Sequence, residues 1–262
     1  MNVGAAVGSS IGRKILNSLT GLFFVGFVIG HLTGNFLLFA GPAAFNNYAH
    51  FLTGFFHGAG LYAIEAVMLL FLATHAYTGI SVWANKAAAR RKAYKVKGDA
   101  GGKSAKSAAS QSMLYTGLLL LLFIAFHVAQ FKFGVMDGRD PSLHYMTIDG
   151  EHVRNLYGLV VDSFQQWYWT FGYIFIMLML GTHLWHGAWS AFQSLGLAND
   201  RYLPTLRNGA HGLAILLALG FLALPAVIYF ANPTFQKLDQ EYVQLHTTTT
   251  EAQPAPLSMG DH

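Results

Sequence analysis

"WYWTFGYIFIMLMLGTHLWHGAWSAF", residues 167–192, contains no Asp, Glu, Lys or Arg. Roughly 20 mainly apolar residues suffice for a helix to cross a bilayer. This run is too long and too apolar for a strand, so it reads as a membrane span. Two histidines, His183 and His186, lie inside it. Polar groups at that depth are rare and tend to be functional.

Four further stretches have the same character, about 15–40, 58–84, 112–135 and 208–231, making five with 166–192. Glycine and proline within them, such as Pro225, are tolerated in membrane helices. The fold class is therefore all-α: a polytopic membrane bundle over residues 1–231, followed by a polar, poorly ordered tail over 232–262. Composition agrees. The 262 residues are 53% hydrophobic and 11% charged, against about 25% charged in soluble domains.

The basic residues set the direction. Arg13, Lys14, the eight Lys and Arg between 86 and 106, Arg201 and Arg207 fall on one side. Only Lys132, Arg139, Arg154 and Lys237 fall on the other. The positive-inside tendency puts the N-terminus and the 85–110 loop in the cytoplasm, and five crossings leave the C-terminus outside. The sequence pI near 9.2 is explained by topology, so nucleic acid is not an expected partner. The acidic loop 136–163, with His144 and His152, is expected in water outside. There is no cysteine, which excludes disulfides, thiolate metal sites and covalently attached haem in this chain.

Of the 12 histidines, four lie deep in four different spans. At about 1.5 Å per residue, His31 and His127 are both about 25 Å from the cytoplasmic edge, while His75 and His183 are about 15–17 Å in. Two imidazoles at one depth on separate helices suit the axial positions of a b-type haem. A zinc site gathers three or four ligands at one point. Spans two and four share T-H-x-x-x-G, as Thr74-His75 with Gly79 and Thr182-His183 with Gly187. His31 is followed by Gly34. A glycine one turn on leaves room beside the histidine for a flat ring system. His186 has no counterpart in span two, so His183 is the chosen ligand.

The segments "LNSLTGLFFVGFVIGHLTGNF", "PAAFNNYAHFL", "FLATHAYTGISVW", "FIAFHVAQF" and "THLWHGAWSAFQSLGL" resemble the five-helix, di-haem cytochrome b membrane subunit of succinate dehydrogenases and fumarate reductases. The likeness covers roughly residues 11–231. It implies two stacked b haems, distal on His31 and His127 and proximal on His75 and His183. It also implies that Asn17 and Ser18 contact a proximal propionate; the plainer role for that pair is a helix-start cap. His211 is a further propionate candidate. The implied complex sits in the cytoplasmic membrane, with a flavoprotein and an iron–sulfur subunit on the cytoplasmic side. Its membrane subunit takes part in the quinone reaction only, with menaquinone the expectation.

The resemblance favours a quinone site near the distal haem. Tyr48, His50, His57 and Glu65 are the candidates there. Glu65 is the only acid inside an expected span, and its plainer role is an interfacial carboxylate. Two other function classes stay open: a di-haem b subunit of another complex, such as a hydrogenase, and a haem-free proton-coupled transporter.

Overall fold

The structure, a computed structural model, describes residues 8–88, 108–135, 145–148, 151–197, 199 and 201–251. Most of the basic loop, His144 and the tail from 252 lie outside the described residues, and of His152 only the backbone is described.

Helix α1, Ser10–Asn35, starts at Ser9, whose Oγ accepts from the Gly12 amide at 3.0 Å. Asn17 and Ser18 therefore do not cap it; they sit two turns inside. A 3-10 turn, Phe36–Ala40, leads to Gly41 at φ +104° and then to Pro42, the first residue of α2, Pro42–Gly54. Proline suits that position because its missing amide hydrogen would have no helical partner. Helix α3 is Ala59–Ala88 and α4 is Ala108–His127, which continues into a π-turn, Val128–Lys132. Strands β1, Tyr145–Ile148, and β2, Glu151–Arg154, form an antiparallel hairpin with Tyr145 opposite Arg154. Then come α5, Leu156–Gln165; α6, Trp167–Ser194; α7, Leu203–Phe230; and α8, Asn232–Glu251.

Four stretches are long and apolar enough to cross a membrane: Ser10–Ala40, Ala59–Ala88, Ala108–Lys132 and Leu203–Phe230. Their flanks carry large apolar side chains with nothing over them, among them Leu69 at 66% exposure and Leu216 at 65%. Water would penalise such faces and lipid would not. Helix α6 is as long, but its Trp, Tyr and His content leaves it short of the apolarity of the other four. It is the hub of the molecule, packed along α7, α4 and α1, while α1 packs along α3. Helices α1, α3, α4 and α6 thus form a ring, with α3 and α4 touching least, and α7 braces it behind α6 and α1.

Two expectations are corrected at the end opposite Lys86. Residues 156–165 are not part of a solvated loop: α5 buries Tyr157, Leu159, Val160, Val161 and Phe164. Residues 232–251 are not an unstructured tail: α8 packs on α5 and β1 and buries Phe235 and Tyr242. With α2 and the hairpin these elements form a cap whose apolar core is continuous with the bundle core. Buried amides tie it together. Asn46 Nδ2 donates to Asn155 Oδ1 at 2.8 Å, and Asn155 Nδ2 donates to Asp239 Oδ1 at 2.8 Å. Asn155 Oδ1 also caps α5 through the Gly158 amide, and Asn46 Oδ1 accepts from the Tyr157 amide.

Candidate functional site

The ring of four helices encloses a cavity of about 1470 Å³. That exceeds the roughly 300–1,000 Å³ of a pocket for one drug-sized ligand. It runs from Lys14, Lys86 and Ser194 at the basic end to Glu65, Lys132 and Phe133 beneath the cap, and all four deep histidines line it.

They stand in two couples. His75 on α3 faces His183 on α6, ring centroids 6.5 Å apart and planes at 69°. His31 on α1 faces His127 on α4 at 5.7 Å and 89°. Metal–imidazole bonds of roughly 2 Å would put two rings on one metal about 6 Å apart, centre to centre. Thr20 on α1 and Thr116 on α4 contact the first couple. His31 and His127 lie 11 residues further along those helices, a separation of about 16 Å between tiers.

Hydrogen bonding orients three of the rings and fixes the proton on one of them. His75 Nδ1 lies 3.1 Å from the Asn17 carbonyl oxygen, which can only accept. Nδ1 therefore carries the hydrogen, and Nε2 keeps its lone pair. Thr116 Oγ1, within 3.1 Å of the Ser112 carbonyl and 3.2 Å of the Met113 carbonyl on its own helix, lies 3.1 Å from His183 Nδ1. Tyr173 Oη donates to Gln130 Oε1 at 2.8 Å and lies 3.3 Å from His127 Nδ1. In each case the ring is oriented by a partner on one nitrogen while the other is left for a ligand, the arrangement metal-bound histidines use. His31 is instead held by stacking on Phe27, with centroids 5.4 Å apart at 15°, and by Phe221.

Room beside the rings comes from glycines on facing helices. A Cβ on Gly21 would sit 3.2 Å from His75 Cε1, and one on Gly117 would sit 3.3 Å from His183 Cε1. Neither glycine was singled out from sequence. A signal existed: "TGLFFVGFVIGH", 20–31, and "TGLLLLLFIAFH", 116–127, place Thr-Gly at the same distance before a histidine. The glycines that were singled out also line the cavity but face other groups. Gly34 abuts the Tyr48 ring, Gly79 faces Asn17 Oδ1, and Gly187 faces Met113.

The remaining candidates divide. Asn17 and Ser18 line the cavity beside His75, and Asn17 Oδ1 accepts from Thr78 Oγ1 at 3.2 Å. Tyr48 and Glu65 line it beneath the cap, where Glu65 is ion-paired with Lys132. His50 and His57 are exposed and not part of the lining. His211 is also outside it, stacked on Trp185 with centroids 3.8 Å apart. His186 reaches the lining and packs edge-on against Trp189.

Among the described residues no group of three or more His, Asp or Glu forms a metal-holding cluster. Each tier brings two imidazoles together across the cavity. That donor set fits a flat group whose metal already has its equatorial ligands, and so fits haem b. No protein-family model, curated protein or solved structure matches the chain.

Proposed function

We propose that this chain is the cytochrome b subunit of a quinone-linked membrane complex, with one b haem on His75 and His183 and a second on His31 and His127. The observation that carries this is the pairing: two couples of imidazoles across one cavity, three rings with Nδ1 already satisfied. When bound, haem b would supply reversible one-electron chemistry, with His75 and His183 holding one group and His31 and His127 the other.

The chain's own part is to hold, orient and insulate. Asn17, Thr116 and Tyr173 orient the rings through Nδ1. Gly21 and Gly117 let neighbouring backbones approach the rings. Phe24, Phe123, Phe131 and Phe221 give the cavity apolar wall. Helix α6 belongs in the membrane on this reading, because three apolar partners flank it along its length. A proton path would link its histidines through short hydrogen-bonded steps, and tiers about 16 Å apart do not.

The sequence resemblance supplies the setting: a succinate:quinone oxidoreductase of the cytoplasmic membrane, with an iron–sulfur subunit and a flavoprotein at the basic end. Tyr48 and Glu65, in the cavity wall beneath the cap, are the chain's candidates for hydrogen-bonding a quinone. The test is to purify the complex through this chain and add succinate, or a quinol, anaerobically. Reduction of b-type absorbance, with co-purifying flavin and iron–sulfur subunits, is expected. A folded complex that shows no b-type absorbance overturns the proposal, and b-type absorbance with a hydrogenase partner replaces its setting.

A further inference from the structure

A second group of polar side chains lies at the basic end, between α6 and α7. Arg207, near the start of α7, lays its guanidinium over the Trp189 ring at 4.6 Å from the centroid. One turn on, His211 stacks on Trp185 at 3.8 Å and 9°. Trp185 and Trp189 are themselves one turn apart on α6. The result is a two-rung ladder between antiparallel helices, with a cation or imidazole on one side of each rung and an indole on the other.

Three features say that this ladder has a ligand. First, Arg207 Nε is buried and donates to nothing. An unsatisfied buried donor is costly, more so when charged. Second, basic groups gather here: His186 lies within electrostatic reach of Lys86, Arg207 and His211. Among the described residues no carboxylate pairs with Lys86 or Arg207. Third, Arg207, His211 and Trp185 lie outside the lining of the haem-sized cavity, and of the four residues Trp189 alone reaches it, so the cationic side of the ladder faces away from that cavity.

The surroundings identify the ligand. The α7 stripe continues from Arg207 and His211 through Ile215 and Leu219, which are 49% and 58% exposed. Each step along it is one helical turn. A cationic head site followed by an open apolar track, at the end of a membrane helix, matches a phosphodiester headgroup followed by an acyl chain. Arginine is suited to the headgroup because its planar fork binds phosphate through two donors. Basic pockets at the cytoplasmic ends of membrane helices have this preference. We propose that Arg207, His211, Trp185 and Trp189 form a binding site for one anionic phospholipid, its phosphate on Arg207 and an acyl chain along Ile215 and Leu219. The proposal does not depend on the haem assignment.

The test uses the full chain in detergent, stripped of lipid and titrated with phosphatidylglycerol or phosphatidylcholine, with bound lipid counted by native mass spectrometry. One phosphatidylglycerol per chain is expected to be held in preference to phosphatidylcholine. Arg207→Gln should weaken it by about fivefold or more, as expected for loss of one cation at a membrane surface, and Arg207→Lys should restore part. Ile215→Ser with Leu219→Ser should also weaken it while leaving the head site intact. Helical circular dichroism confirms that each variant is folded. Equal retention of the two lipids overturns the proposal, as does unchanged binding in Arg207→Gln. Competition by glycerol 3-phosphate at concentrations similar to the lipid overturns the lipid assignment in favour of a small-anion site. If Arg207→Gln instead releases a protein subunit and leaves lipid retention unaltered, the patch is a protein interface and the proposal falls.

Discussion

The two histidine tiers are built from different materials. At the basic end the construction is nearly symmetric. Thr20-Gly21 on α1 faces His75 and Thr116-Gly117 on α4 faces His183; in both cases the threonine reaches Nδ1 and the glycine clears Cε1. Beneath the cap the symmetry is gone. His127 leans on a chain of side-chain hydrogen bonds through Tyr173 to Gln130, whereas His31 is held by the Phe27 and Phe221 rings. A helix backbone and a threonine are rigid partners. A phenol and stacked rings are softer, so the cap-end tier is the more adjustable. It is also the tier next to Tyr48 and the Glu65–Lys132 pair, where a quinone is proposed to bind.

The largest effects break one tier at a time. His75→Ala or His183→Ala should each lower the haem content from two per chain to one, with the loss at the basic end. His31→Ala or His127→Ala should give the complementary loss. Haemochrome content and the split of the low-spin electron paramagnetic resonance signals read both. Loss of both haems from either substitution would mean that the tiers are not independent.

Tyr173→Phe sharpens the comparison. It removes the hydroxyl at His127 and should weaken retention at the cap end by about 10–100-fold, the usual effect of losing such a partner, with the basic end unchanged. Thr116→Val and Thr20→Val test the symmetric tier. Thr116 is the partner observed for His183, whereas His75 also has the Asn17 carbonyl. Thr116→Val should therefore shift the basic-end reduction potential more than Thr20→Val. Equal shifts would show that the Asn17 carbonyl contributes nothing.

The smallest effect lies in the cap. Tyr157 is fully buried, and its hydroxyl has no partner. Burial first, and Asp239 second, push its pKa up to about 12, from about 10 in an unfolded chain. The folded state thus holds the phenolic proton more tightly. Its contribution is complete below about pH 10 and is lost as pH rises toward 12. Tyr157→Phe should flatten that alkaline loss in a thermal-melt series and should be neutral or slightly stabilising at pH 7, because it removes an unpaired buried polar group.

The depth of the histidines was legible in the sequence because a helix converts residue number into height. Chain position alone could therefore couple His31 with His127 and His75 with His183. Four of the five expected spans were legible as long apolar runs, whereas α6 stands out by its lack of charge rather than by apolarity. Three things were hidden. Glycine was read for space along its own helix, but Gly21 and Gly117 make room for rings on other helices, which only tertiary packing reveals. Asn155 sits in a polar stretch that reads as loop, and its role depends on Asn46 and Asp239, distant in the chain. Helix α8 was taken for a polar tail because its apolar positions, Phe235 and Tyr242, are sparse. They suffice because α5 and β1 supply the surface that they cover.

The most direct test of the paired-imidazole account is the molar ratio of haem to chain. The purified, folded protein would be assayed by pyridine haemochrome against quantitative amino-acid analysis. The account predicts two b haems per chain, both low-spin with two histidine ligands. A ratio of one, or the absence of haem from a preparation of intact helicity, would contradict it.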